Sequence, residues 1–509
     1  MKKRIINLVL MGGLVAGLVA GCVRGENGMV EASLDEIKKG GFIVSSSCHD
    51  PQVVADVDGT YKMFGSHMVG AESADLREWK CFAEGVDEDN PLFDGLLSGD
   101  FPAFSFVGKN TENGYSVWAP DVSYNEKMGK YVMYFCTTSS YIKSNLCFAT
   151  ADNIEGPYTY VDTILYSGFT QRDAEQTNIY EVLGEGADIR PYLEHGGYNN
   201  NKWPNCIDPA TFTDENGKMW LVYGSWSGGI FILELDPATG YPIHPQADEQ
   251  NGVDAYFGKH LAGGGHHSIE GPYILYSSET GYYHLFVSYG GLNREGGYQI
   301  RQFRSENPDG PYTDAAGNTL QDQPEHYNYG VKMAGNYILP SLKTAYMAPG
   351  GQSAFEKDGK YYIAYHQRFD NGTEYHEPRV HRLFANKDGW LVMSPFAVKG
   401  EELKEEGYRT KDLEGTFYII NHGTGISAKI RKTEAYTFLK SGEIQGGKQG
   451  GTFEVEEGTC HVAITLDGKN YQGVIIEMED EAGNQTLCIS ASGDNNETIW
   501  GVHYLKDKK

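Results

Sequence analysis

Five stretches of this chain repeat one pattern, a turn closed by glycine and then a run of aromatic and β-branched residues. They begin at Asp58 (DGTYKMFGS), Met128 (MGKYVMYFC), Asn216 (NGKMWLVYGS), Thr280 (TGYYHLFVSY) and Asp358 (DGKYYIAYH). A tight glycine turn ahead of such a run predicts the second strand of a β-hairpin. The glycines, Gly59, Gly129, Gly217, Gly281 and Gly359, fall 64 to 88 residues apart. Turns of another kind, NIEGPYTY from Asn153 and NPDGPYTD from Asn307, close two of the segments. Recurring sheets of this sort predict an all-β chain, a five-bladed β-propeller over 41–400. The spacing exceeds the roughly 40–45 residues of compact propeller repeats, so the surplus goes into long loops that wall a groove on one face.

After about residue 405 the pattern changes to short strands separated by Gly, Asn and Asp turns, such as GTFYIINHG and GTFEVEEG. The segment 405–509 is therefore expected to be a small β-barrel or β-sandwich.

The first 22 residues run from a basic start (Lys2, Lys3, Arg4) through an apolar stretch to LVAGC. This predicts an export signal over 1–21. LVAGC resembles a bacterial lipobox, which implies cleavage before Cys22, lipidation of Cys22, and a tether over 22–40. Membrane attachment is then through the lipid anchor alone. Seven further cysteines include Cys136 and Cys147, and Cys460 and Cys488, each pair placed to face across a hairpin or to remain as buried thiols. With 42 basic against 69 acidic residues, the net charge is −27. Such a chain has no affinity for nucleic acid through its overall charge, and a neutral ligand suits it best.

The segments before the hairpins carry acids. HDP places Asp50 nine residues before Gly59, and APD places Asp121 eight before Gly129. IDP places Asp208 nine before Gly217, and EGPY places Glu270 eleven before Gly281. Blade five has Gln352 and Ser353 there. The innermost strand of each blade lines the channel of a propeller, so these residues are expected at one equivalent position around its mouth. Aspartate also caps turns before strands. A ring of acids instead suits glycoside hydrolysis, in which one carboxylic acid protonates the leaving oxygen and one carboxylate activates water.

HDP, WAPD, IDP and EGPY, in that order, resemble glycoside hydrolase family 43, most of all its secreted endo-1,5-α-L-arabinanases with an extra C-terminal β domain. The resemblance implies an inverting hydrolase of internal α-1,5-L-arabinofuranosidic bonds in arabinan. It makes Asp50 the general base, Glu270 the general acid, and Asp208 the group that orients the acid and raises its pKa. Asp121 would belong to the substrate-facing rim, and Glu155, in the other IEGPY, to a surface turn. It also implies one cation, calcium, in the central channel at His366; calcium favours oxygen ligands, so one histidine with waters would be an unusual site. Trp118 and Trp226 are candidate sugar platforms, with Trp203 a weaker one. His49, His266 and His267 adjoin the catalytic positions, and His267 is taken as substrate-binding. An exo-acting α-L-arabinofuranosidase or β-xylosidase, and a non-catalytic surface glycan-binding lipoprotein, remain the alternatives.

Overall fold

The computed structural model describes residues 29–41, 46–320 and 327–508. The signal 1–21 and Cys22 lie outside these residues. Five antiparallel sheets form the propeller, each built around one of the glycine-turn hairpins. Their innermost strands are Gln52–Ala55, Ser116–Asn125, Ala210–Thr213, Glu270–Ser277 and Tyr346–Lys357. In each hairpin the second strand is buried along nearly its whole length, because the sheet packs against neighbours on both faces.

Hydrogen bonds between successive inner strands tie the ring together. Gln52 Nε2 donates to the Val122 carbonyl (3.0 Å), and Thr211 donates through N (2.8 Å) and Oγ1 (2.6 Å) to Asp121 Oδ2. Gly271 N donates to Asp208 Oδ2 (3.1 Å), and Gln352 Nε2 donates to the Gly271 carbonyl (2.6 Å). Ser353 Oγ donates to the Pro51 carbonyl (2.8 Å) and closes the circle.

The C-terminal segment is a barrel rather than a sandwich. Its eight strands run from Gly415–Asn421 to Thr498–Asp507, and the last pairs with both Gly415–Asn421 and Gln485–Gly493. The interior is filled with buried side chains, among them Phe417, Phe438, Phe453, Ile475 and Trp500. The same cluster continues through Ile363, Tyr365 and Leu391 of blade five, so the two parts share one core.

The tether expected over 22–40 is corrected at its C-terminal end. Met29–Glu31 pairs antiparallel with Leu505–Asp507, and Gly40 bridges to Leu342. Unpaired backbone groups along the last barrel strand give this segment a partner, so it joins the sheet. The seven described cysteines are free thiols, and all but Cys81 are buried. Cys136 lies opposite Leu146 and Cys147 opposite Phe135, so that pair does not meet across its hairpin.

Candidate active site

The ladder of each inner hairpin fixes what is equivalent between blades. Gln52, Asp121, Ala210, Tyr273 and Ser353 pair with Phe64, Tyr134, Val222, Phe286 and Ala364. Each partner lies five residues after its turn glycine. Two residues earlier on each inner strand stand Asp50, Ala119, Asp208, Gly271 and Gly351, with φ of 52°, 44°, 53°, 57° and 59°. The expectation of four acids at one position is therefore corrected. Asp50 and Asp208 occupy the left-handed position, Glu270 stands one residue before it, and Asp121 two residues after. The turns linking strand start to glycine differ in length, so counting from glycine misplaces two of the four acids. Asparagine, aspartate and glycine tolerate positive φ best. At Gly351 a Cβ would also stand 2.3 Å from Asp50 Oδ1, so a side chain there would displace that carboxylate.

Asp50, Asp208 and Glu270 nevertheless line one cavity of about 940 Å³, with Asp121, Trp118 and Trp226. This lies at the upper end of small-ligand pockets, roughly 300–1,000 Å³, and has room for several sugar units. Burial drives the Glu270 carboxyl up to about 7, with the Tyr298 hydroxyl, which donates to it, opposing and the Asp50 charge adding to the rise. Burial also pushes Asp208 well above the usual carboxylate range, helped by the Glu270 and Asp50 charges. Asp208 and Glu270 thus form a pair that retains a proton near neutral pH.

Asp50 is held the other way. Burial would raise it, but the His49 and His366 rings and the Ser66 hydroxyl outweigh burial and keep it ionised. Ser66 Oγ donates to Asp50 Oδ2 at 2.6 Å, and His49 Nδ1 lies 3.2 Å from the same oxygen. Arg368 Nη2 lies 3.0 Å from His49 Nε2. Arginine only donates, so Nε2 of His49 accepts, and Nδ1–H points to Asp50.

His366 sits on the second strand of blade five, with Nδ1 3.8 Å from Asp50 Oδ1. Its Nε2 is buried and makes no hydrogen bond. His49, Asp50 and His366 offer ligand atoms within 4.8 Å of one another, and burial keeps His366 neutral, with one ring nitrogen unprotonated. Both His49 nitrogens are committed to Arg368 and Asp50, so one carboxylate and the His366 imidazole are left to fit a cation that completes its shell with water.

The structure reassigns one rim residue. His266, not His267, lines the cavity, with its ring 5.9 Å from Trp226 and 6.1 Å from Tyr141. The His267 ring instead faces Tyr327 at 5.4 Å, and its Nδ1 lies 3.1 Å from the Gly264 carbonyl. A φ of 59° at His266 turns the backbone so that the two neighbours face different ways. Trp203 is a packing residue, its ring tilted against those of Tyr192 and Phe257, and Glu155 is a surface residue paired with Lys62. Sequence reasoning missed Tyr298, Tyr141 and Asn205. Asn205 is 1% exposed, lines the cavity, and neither of its amide atoms has a partner. Its position in NCIDP, three residues before Asp208, was the one available signal.

A five-bladed ring whose cavity is lined by a carboxyl pair that retains a proton and by an ionised carboxylate has the parts of a glycoside hydrolase. The model for glycosyl hydrolases family 43 matches residues 163–391, and that for a C-terminal lipocalin-like domain matches 395–501. The chain is 40% identical over 473 residues to the extracellular endo-α-(1→5)-L-arabinanase 2 of Bacillus subtilis, covering 89% of this chain and 92% of that protein. The structure of a family 43 protein, YxiA, from Bacillus licheniformis superposes with a TM-score of 0.78 at 37% identity, over 91% of this chain and 99% of the other. An endo-1,5-α-L-arabinanase from Thermotoga petrophila gives 0.78 at 34% identity, over 92% and 99%. This protein belongs to glycoside hydrolase family 43.

Proposed function

We propose that this enzyme cleaves internal α-1,5-L-arabinofuranosidic bonds of arabinan with inversion at the anomeric carbon. The observation that carries the reading is the opposed protonation of two acids on one cavity, Glu270 raised to about 7 and Asp50 held ionised. In the forward step Asp50 takes a proton from water as the water oxygen bonds to C1. The C1–O5 bond breaks, and Glu270 gives its proton to the departing O5. Asp208, bound by the backbone N–H of Gly271 next to Glu270, orients the acid. Trp118, Trp226 and His266 supply surfaces for the sugar rings, and Asn205 supplies a donor and an acceptor for ring hydroxyls.

A calcium ion would be held by His366, with His49 and Asp50 beside it, and would supply positive charge that orders water at the base. The similarity to extracellular relatives supports export of this chain. The lipobox supports anchoring through Cys22 at the bacterial surface, with arabinan as the substrate met there.

The test is digestion of debranched arabinan, xylan and aryl glycosides in parallel, with the first anomer read by NMR. A spread of arabino-oligosaccharides with inverted anomers is expected, and Glu270→Ala abolishes them. Release of monomer alone would establish an exo enzyme, and binding without cleavage a glycan-binding protein.

A further inference from the structure

Where blade four meets the barrel, hydrogen-bond donors accumulate without acceptors. His422, just after the first barrel strand, is fully buried, and neither ring nitrogen has a partner. Its ring centroid lies 4.4 Å from that of Trp500, whose Nε1 is likewise buried and unpaired. Lys332, on the last strand of blade four, is 3% exposed. Its ammonium donates to the Gly425 carbonyl at 2.9 Å, which uses one of three N–H groups. The His422 amide and the Lys332 carbonyl are both bound by Thr498, which brings the backbones of the two residues together at one barrel residue.

The charges at this seam are equally one-sided. Among the described residues no carboxylate comes within ion-pair distance of Lys332 or of Arg431, which acts electrostatically on both Lys332 and His422. Arg301, the other nearby cation, is committed to Gln299 and to backbone carbonyls, and Asp314 lies within its field. Burial, with Arg301 and Arg431, lowers Lys332 to about 7, the consequence of an ammonium with no counter-charge. Buried donors require acceptors, and buried cations require anions.

We propose that the seam between propeller and barrel binds a small halide, chloride outside the cell, held by the Lys332 ammonium, the Trp500 indole N–H and an N–H of His422. Full burial of His422 and Trp500 excludes a bulky oxyanion, and a monoatomic anion accepts from several directions at once. The ion links blade four to two barrel strands and fastens the domains together.

The test is thermal unfolding in sodium chloride against sodium gluconate at matched ionic strength. Crystals soaked in bromide complement it. The melting temperature is expected to rise saturably, by about 2 °C, as chloride replaces gluconate. Gluconate, excluded from protein surfaces, would act in the opposite direction if only general salt effects operated. Lys332→Met and His422→Phe each abolish the chloride response, and bromide gives an anomalous peak in contact with Lys332 Nζ and Trp500 Nε1. Equal melting in the two salts, a response that survives both substitutions, or water in place of bromide at that position each overturns the proposal. Should either variant fail to fold, the wild-type titration and the bromide map decide.

Discussion

The Tyr298 hydroxyl donates a 2.7 Å hydrogen bond to Glu270 Oε1, while the Tyr298 ring stacks 5.6 Å from His366 at 18°. One side chain from blade four thus touches both the acid and the histidine of the candidate cation site. Burial alone would raise Glu270 further, and this donor, which favours the carboxylate, limits the rise.

Tyr298→Phe removes that donor and leaves the ring. The alkaline limb of kcat/KM should move upward by roughly one pH unit, and kcat should fall about tenfold as the acid loses its orientation. A pH–rate profile on arabinan checks both. An unshifted limb would separate Tyr298 from the ionisation of Glu270.

Glu270 should also shape stability against pH. Its carboxyl titrates at 4.5 when free and at about 7 in the fold. Between those values the folded state binds more protons than the unfolded one, so this group's contribution to stability falls as pH rises. Glu270→Gln removes the penalty. The variant should melt above the wild type at pH 8, and the gap should close below about pH 4.5. Scanning calorimetry across that range reads it directly.

Asn205 offers a contrast between binding and stability. A buried amide without partners costs free energy that only a ligand recovers. Asn205→Leu, near in volume, should leave the melting temperature unchanged or raised while lowering kcat/KM about 10- to 100-fold. Melting and steady-state kinetics on one sample test the two halves.

Glu481, on a barrel hairpin, reaches Tyr346 and lies 3.9 Å from Arg379 in blade five, its side chain 2% exposed. Arg379 also pairs with Glu377 at 2.8 Å. Glu481→Ala should cost about 2–3 kcal/mol, because it removes a counter-charge from beside a buried guanidinium and the acceptor of the Tyr346 hydroxyl. Urea unfolding followed by domain-specific probes should show one transition in the wild type, as the shared core requires, and an earlier midpoint in the variant.

The hairpins were legible because their signal is local. A glycine at Gly217 followed by Met219–Ser225 specifies turn and strand within ten residues. Asp50 and Asp208 were legible for the same reason, each followed by proline at the start of an inner strand. The relation between acids was harder. Seven residues separate Gln52 from Gly59, eight separate Tyr273 from Gly281 and six separate Ser353 from Gly359, so only the ladders reveal which positions correspond. His266 and His267 are neighbours in sequence, and one backbone angle chooses between them. Tyr298 and Arg368 gave no local sign, since their partners Glu270 and His49 lie 28 and 319 residues away.

The amino-acid order by itself determined the repeated strand units, the acids at their entrances and the family those motifs indicate, because turn and strand preferences act over a few residues. Only closure of the ring decided which carboxyl keeps its proton, which histidine faces the cavity, and that Met29–Glu31 belongs to the barrel. Burial and electrostatic coupling depend on distances between atoms far apart in the chain, and those distances exist only once the sheets have packed.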